Sequence, residues 1–389
     1  MITVIKNGYV ILESGIYPEL NVYFENDKII SITSEELKYD KMIDASGLYV
    51  SPGFIDIHTH GGADYDFADM TVEAFTEPAK LHAKYGTTTL YPTLTSVSTE
   101  TIKKSIDAFK QAVSSDYFGA KMPGIHLEGP YFSEIHKGAQ DDRFIHDYIE
   151  DEYKEIIALS DGYLKRWSAA PEREGWENFA DTLKKEGILA SIGHSDADFS
   201  RAEEAFKKGF THITHLYSCM STVHRKNAFR YGGIIEAAYL FDDMTVEIIA
   251  DGCHLPPELL KLIYKIKGSD SIALVTDSIR GAGQTEGETV LGTKDNGLRV
   301  IIEDGVAKLP DRTAFAGSVA TFDRLVRTMI KQGGVSLEEA VKMASTTPAK
   351  IMKLENTGAL KEGYYADIIL FDDDINVKKT IINGRYEND

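Results

Sequence analysis

The sequence predicts an α/β fold: a (β/α)8 TIM-type barrel with a small β-sandwich domain formed by the N- and C-terminal segments. Three observations lead there. Through the middle of the chain, eight short apolar or β-branched runs alternate with longer amphipathic stretches, the rhythm of parallel β-α units. Both ends are β-rich instead, and carry Asn-Gly or Asn-Asp turn signals. No glycine fingerprint for a dinucleotide follows any of the middle runs, which counts against the doubly wound open sheet, the structural alternative.

Taken in order, residues 2–5 and 9–12 flank Asn7-Gly8, which predicts a type I′ hairpin, and 22–24 and 28–33 flank Asn26-Asp27 in the same manner. The eight barrel strands are expected at 54–57, 87–91, 124–127, 167–170, 188–192, 211–216, 245–250 and 272–276. Helical patterns lie between them at 72–85, 100–114, 176–186, 201–208 and 257–266. Ser318 reads as the cap of a helix running to Gln332, and Ser336 to Glu339 as a capping box for the next. A strand at 366–371 and a second at 380–382, running into Asn383-Gly384, return the chain to β structure. The expected division is 1–51 with 356–389 for the small β domain and 52–355 for the barrel.

A chain of 389 residues, 43% hydrophobic and 26% charged, has the composition of an ordinary globular protein with one large domain and a small one. No apolar run approaches the roughly 20 residues that cross a bilayer. The first residues, Met-Ile-Thr-Val-Ile-Lys, lack the basic-then-apolar design of an export signal. Two cysteines, Cys219 and Cys253, do not make a disulfide framework, so the cytosol is the expected compartment. A net charge of −19 argues against nucleic-acid and anionic-membrane partners, which need basic surfaces. A small anionic substrate is still compatible, because a few local cations outweigh the global field.

The polar residues gather where barrel strands end, and in this architecture those ends share one mouth. His58 and His60 stand two apart on strand one, so they share a face and can hold one divalent ion between them. Strand three closes on Glu128, strand four on Glu172, strand five on His194, strand six on His215, strand seven on Asp251 and His254, and strand eight on Asp277. Each alone has an ordinary structural explanation as a satisfied histidine or a turn aspartate. Together they do not, since a core strand gains nothing by ending in a desolvated ionisable group. Four histidines, a glutamate and an aspartate suit one or two divalent ions. A bound ion makes hydroxide available near neutrality and polarises a carbonyl. Asp277 is then the natural proton carrier, taking the water's proton and delivering it to a leaving nitrogen. His126, two before Glu128, is expected to pack below the ion. His212 is expected to face away from the site, and His82 to lie in a surface helical pattern.

These segments resemble the amidohydrolase superfamily: 52–61 (Pro-Gly-Phe-Ile-Asp-Ile-His-Thr-His-Gly), 124–130 (Gly-Ile-His-Leu-Glu-Gly-Pro), 170–172, 193–195, 214–217, 250–254, 275–277 and 315–318. They are similar above all to its members that remove acetate from N-acetylated amino-sugar phosphates. The resemblance implies an ion held by Glu128, His194 and His215, and a second at His58 and His60. It implies zinc foremost, with iron, manganese or cobalt compatible, and Asp277 as general base and acid. It further implies substrate contacts from Ala139, Gln140, Ser218, Cys219 and His254, and a homodimer in which Arg225 grips the partner subunit's sugar phosphate. The expected reaction is hydrolysis of N-acetylglucosamine-6-phosphate to glucosamine-6-phosphate and acetate. Three departures fall in the substrate zone: Gln140 where a histidine is usual, Ser218-Cys219 for Asn-Ala, and Arg225-Lys226-Asn227-Ala228 for Arg-Glu-Pro-Gly. They keep two alternatives open: the same chemistry on N-acetylgalactosamine-6-phosphate or a cyclic amide, and a barrel scaffold without catalysis.

Overall fold

The structure, a computed structural model, describes residues 1–386. Residues 387–389, which the sequence assigns to the small domain, lie outside the described residues. Eight parallel strands follow one another in chain order in a single sheet: β1 Phe54–Thr59, β2 Thr87–Leu94, β3 Ile125–Glu128, β4 Leu164–Ala169, β5 Leu189–Ile192, β6 Phe210–Ile213, β7 Thr245–Ile248 and β8 Ile272–Leu274. Beyond the last paired residues the sheet closes on itself. The Asp277 N–H donates to the His58 carbonyl at 2.9 Å, and the His60 N–H to the Ser278 carbonyl at 2.8 Å.

The helices between strands form where apolar periodicity and caps coincide. Ser98 accepts from the Thr101 N–H at the head of Thr99–Val113, and Asp198 from the Arg201 N–H at the head of Phe199–Lys208. Gly187, at φ 70°, ends Trp176–Glu186 in the left-handed conformation that a residue with a side chain resists. Their apolar faces pack on the outside of the sheet in one continuous core that includes Trp167, Phe179 and Leu183. Among the described residues no helix is long and apolar enough to cross a membrane.

The two chain ends meet in a five-stranded sheet, where Ile368–Phe371 runs antiparallel to Tyr49–Pro52. Beside it stands a four-stranded sheet of Lys28–Thr33, Asn21–Glu25, Ile2–Lys6 and Lys41–Asp44, and the two share a core of Val22, Phe24, Ile368 and Leu370. The Asn26-Asp27 hairpin forms as expected. Asn7-Gly8 makes no hairpin: Ile2–Lys6 joins the four-stranded sheet and Tyr9–Leu12 the five-stranded one. Asn7 does take φ 66°, but burial of Ile5 and Val10 between two sheets overrides the local pairing signal.

After β8 the chain holds a sheet the sequence did not announce, and one expectation fails. A three-stranded antiparallel sheet, Gly287–Leu291, Leu298–Glu303 and Val306–Lys308, is inserted there. Ser318 caps no helix. Its hydroxyl donates to the Thr276 carbonyl at 2.5 Å, and the helix begins later, at Phe322, with Thr321 at its N-cap. The Ser336 cap is in place, accepting from the Glu339 N–H at the head of Leu337–Ala344.

Candidate active site

Six side chains from β1, β3 and the residues just beyond β1, β5, β6 and β8 converge at one mouth of the barrel as two triads. His58, His60 and Asp277 form one and Glu128, His194 and His215 the other, with the ligand atoms of each within 4.8 Å of one another. All six are buried. Strand alternation brings His58 and His60 together, their Nε2 atoms 3.3 Å apart. The others arrive differently. His194, His215 and Asp277 take φ values of 46°, 28° and 47° just after their strands, a left-handed turn that side-chain-bearing residues rarely adopt. Backbone bonds hold the last of these turns: the Ser318 N–H donates to the Asp277 carbonyl at 2.7 Å. Gly317 packs so closely there that a Cβ on it would meet the same carbonyl at 2.6 Å.

The tautomers are fixed from behind. His58 Nδ1 donates to Glu247 Oε1 at 2.6 Å, His60 Nδ1 to the Thr93 carbonyl at 3.1 Å, and His194 Nδ1 to the His136 carbonyl at 2.9 Å. Each Nε2 therefore presents a lone pair to the centre. There two of them face other acceptors: His60 Nε2 lies 3.0 Å from Asp277 Oδ1 and His194 Nε2 3.1 Å from Glu128 Oε1; His215 Nε2, with no hydrogen bond behind its Nδ1, lies 2.9 Å from the same oxygen. Acceptor set against acceptor needs a cation between them, either protons or a divalent ion in each triad. The electrostatics agree. Burial opposes charge on His58, yet Glu247, Asp277 and Glu128 outweigh it and push the imidazole up to about 9. His60 is raised well above the ordinary value, against burial, by hydrogen bonds and charge from Asp277 and Glu128. Glu128 and Asp277 are held below the usual carboxylate range; burial again opposes, and the facing imidazoles win. The donor set thus fits one or two divalent ions.

Beneath the triads the barrel interior is ionic rather than apolar. Arg166 and Glu247, both fully buried, pair with each other, and Glu247 Oε1 also accepts the His215 backbone N–H at 3.0 Å. Arg166 donates further to the Ile57 carbonyl and to the hydroxyls of Ser191 and Thr214. Sequence reasoning missed this pair: Glu247 was a charge inside the expected strand 245–250, but Arg166 fell one residue before the expected strand 167–170, beside the exposed Lys165. His126 packs edge-on against His58, ring centroids 4.8 Å apart, as expected of a residue below the site. His212 corrects its expectation: it points into the barrel, with Nδ1 2.7 Å from Thr245 Oγ1 and Nε2 3.5 Å from Glu247. The left-handed turn at His215 breaks the alternation from which its direction was inferred. His82 is likewise buried, donating from Nε2 to the Gly61 carbonyl at 2.9 Å.

A cavity of about 310 Å³ opens above the triads. Ala139, Gln140, Ser218, Cys219 and His254 all line it, and Leu291 and Phe315 from the inserted segment complete its wall. Asp251 fixes the His254 ring through Nδ1 at 2.9 Å. Arg225 is not brought to this cavity within one chain. It stands on an exposed hairpin of His224–Lys226 and Phe229–Tyr231.

A cation-demanding double triad at the mouth of a β/α barrel defines a metal-dependent hydrolase, and the chain belongs to the amidohydrolase family, whose model matches residues 49–386. The chain is 34% identical to an N-acetylglucosamine-6-phosphate deacetylase of Lysinibacillus sphaericus, over 98% of this chain and 97% of the relative. Among solved structures it matches the same enzyme of Pasteurella multocida with a TM-score of 0.92 at 25% identity, covering 100% of both chains. A mutant of the Mycobacterium smegmatis enzyme, solved in complex with N-acetyl-D-glucosamine-6-phosphate, matches at TM-score 0.90 and 26% identity over 99% of this chain and 98% of that one.

Proposed function

We propose that the chain hydrolyses the acetamide of N-acetylglucosamine-6-phosphate to glucosamine-6-phosphate and acetate, as a cytosolic homodimer using one or two divalent ions, zinc foremost. The observation that carries this reading is the cavity floored by two ligand triads, with the Asp277 carboxylate in one of them and facing the opening. It is joined by near full-length similarity to deacetylases of that substrate. Glu128, His194 and His215 hold one ion and His58 and His60 a second. An ion bound there supplies Lewis acidity to the acetyl carbonyl and acidifies a water.

The protein's own groups do the rest. Asp277, kept ionised by the facing imidazoles, accepts the attacking water's proton and later hands it to the departing amine. Burial of the ring of ligands excludes bulk water, so the charge developing on the carbonyl oxygen is stabilised in a low-dielectric site. His254, fixed by Asp251, and Gln140, Ala139, Ser218 and Cys219 contact the sugar. Arg225 serves the partner subunit's cavity, gripping the phosphate. The exposure of Arg225, Lys226 and Arg230 beside Val223, Phe229 and Tyr231, the last three 56%, 70% and 44% accessible, supports a hairpin built to pack on another subunit. Residues 1–51 with 356–389 form the small domain in this reading and 52–355 the catalytic one.

The departures at Gln140 and Ser218-Cys219 favour one second reading, the galacto epimer as substrate by the same chemistry. Acetate release from N-acetylglucosamine-6-phosphate and its galacto epimer, side by side, tests both. Turnover of the gluco substrate is expected; turnover of the galacto compound alone transfers the assignment to it.

A further inference from the structure

Gln140 is held more firmly than a substrate-contacting side chain requires. Its Oε1 accepts from the Ser96 backbone N–H and the Thr95 hydroxyl, both at 2.8 Å, and a backbone N–H donates only. That fixes which end of the amide is which: Nε2 faces Glu128 and donates to Oε2 at 2.6 Å. The two oxygens of Glu128 are therefore not equivalent. Oε1 points at His194 Nε2 and His215 Nε2, at 3.1 and 2.9 Å, and no amide competes for it. Towards the other triad, Oε2 lies 3.3 Å from His60 Nε2 and Oε1 3.6 Å from His58 Nε2, and the nearer oxygen, Oε2, is the one Gln140 occupies.

We propose that Gln140 makes the two ion positions unequal: it orients Glu128 to serve the His194–His215 position through Oε1 and withholds Oε2 from the His58–His60 position. Gln140 is a positioning residue in this role, acting through Glu128. The hydrogen bond uses lone-pair density that a bridging carboxylate would give to the second ion, and it fixes the carboxylate's rotation for the first. A first ion binds tightly at Glu128, His194 and His215, and a second binds more weakly at His58 and His60. The inference rests on the metal reading above.

The test is a zinc titration of the ion-free full-length protein by calorimetry, with bound zinc counted by elemental analysis, for wild type, Gln140→Leu and Thr95→Val. Wild type is expected to show two separable dissociation constants. In Gln140→Leu the tight position loses its oriented ligand and weakens by roughly 10- to 100-fold, the scale for losing a hydrogen-bond partner of a ligating group. The weak position tightens, so the gap closes. Thr95→Val removes one of the two anchors of Gln140 without touching Glu128, and it narrows the gap by less. Should Gln140→Leu not fold, Thr95→Val decides. Constants that keep the wild-type ratio in both variants, or that weaken by the same factor at both positions, overturn the proposal and leave the metal reading intact. Protein that takes up no zinc overturns the metal reading as well.

Discussion

The ligand ring and the His224–Tyr231 hairpin both follow C-terminal ends of barrel strands, yet they are built in opposite ways. Every ring member is buried, and three of its four imidazoles are locked by a second hydrogen bond from behind. Every residue of the two hairpin strands is exposed, and its apolar side chains have no core of their own. The contrast separates two tasks. Chemistry needs groups held within fractions of an ångström, so it is placed on rigid strands over a second layer of partners. In the proposed reading, recognition of the phosphate is left to the charged hairpin, supplied by a second subunit.

The largest loss is expected at Asp277. Asp277→Asn keeps the shape and removes the proton acceptor, so acetate release is expected to fall by roughly 10²- to 10⁴-fold while bound zinc is retained. Activity near wild type in that variant removes Asp277 from the mechanism. One layer down, Glu247→Gln strips His58 of its carboxylate and leaves Arg166 with a buried, uncompensated charge. Breaking a buried pair in this way costs about 3–5 kcal/mol, and zinc affinity should drop by about 10- to 100-fold. Chemical denaturation and zinc titration measure the two losses separately. At the hairpin, Arg225→Ala is expected to raise KM roughly tenfold, the loss of a charge-assisted hydrogen bond, with kcat little changed and the fold intact. A loss confined to kcat contradicts a binding role.

A smaller effect is expected in the pH dependence of stability. In the ion-free protein, His58 titrates at about 9 because its carboxylate neighbours outweigh burial. Its folded pKa lies above the unfolded value, so the stability it contributes is fully present below the ordinary imidazole pKa and is lost as pH rises through about 9. A bound ion takes the proton's place and removes that dependence. The thermal midpoints of zinc-loaded and ion-free protein should therefore draw apart between neutral pH and pH above 9, as scanning calorimetry can follow. Curves that stay parallel contradict the assignment of His58 as a ligand. Hairpin variants should leave the difference unchanged.

Much of this was legible in the sequence, for identifiable reasons. The eight strands announce themselves because buried parallel strands are near-continuous apolar or β-branched runs, and seven of them end in ionisable residues that a core would not tolerate. His58 and His60 follow from alternation alone. Alternation fails where the backbone turns left-handed, which is why His212 was assigned to the wrong side although His215, three residues later, was not. Glu247 could be seen only as an anomaly inside a strand and Arg166 only as a charge before one, because each is explained by the other, and 81 residues separate them. The inserted sheet that brings Leu291 to the cavity wall, and the Asn7-Gly8 turn that feeds two sheets instead of one hairpin, depend on what packs where. No local pattern encodes that.

If ions held by the double triad drive amide hydrolysis, turnover must come and go with the metal. Purified protein is assayed for acetate release from N-acetylglucosamine-6-phosphate as isolated, after exhaustive chelation, and after return of zinc, alongside His194→Ala. We predict turnover as isolated, loss on chelation, recovery with zinc, and neither activity nor full zinc content in the variant. Turnover that survives complete removal of metal, or a His194→Ala protein that works as well as wild type, would contradict the account.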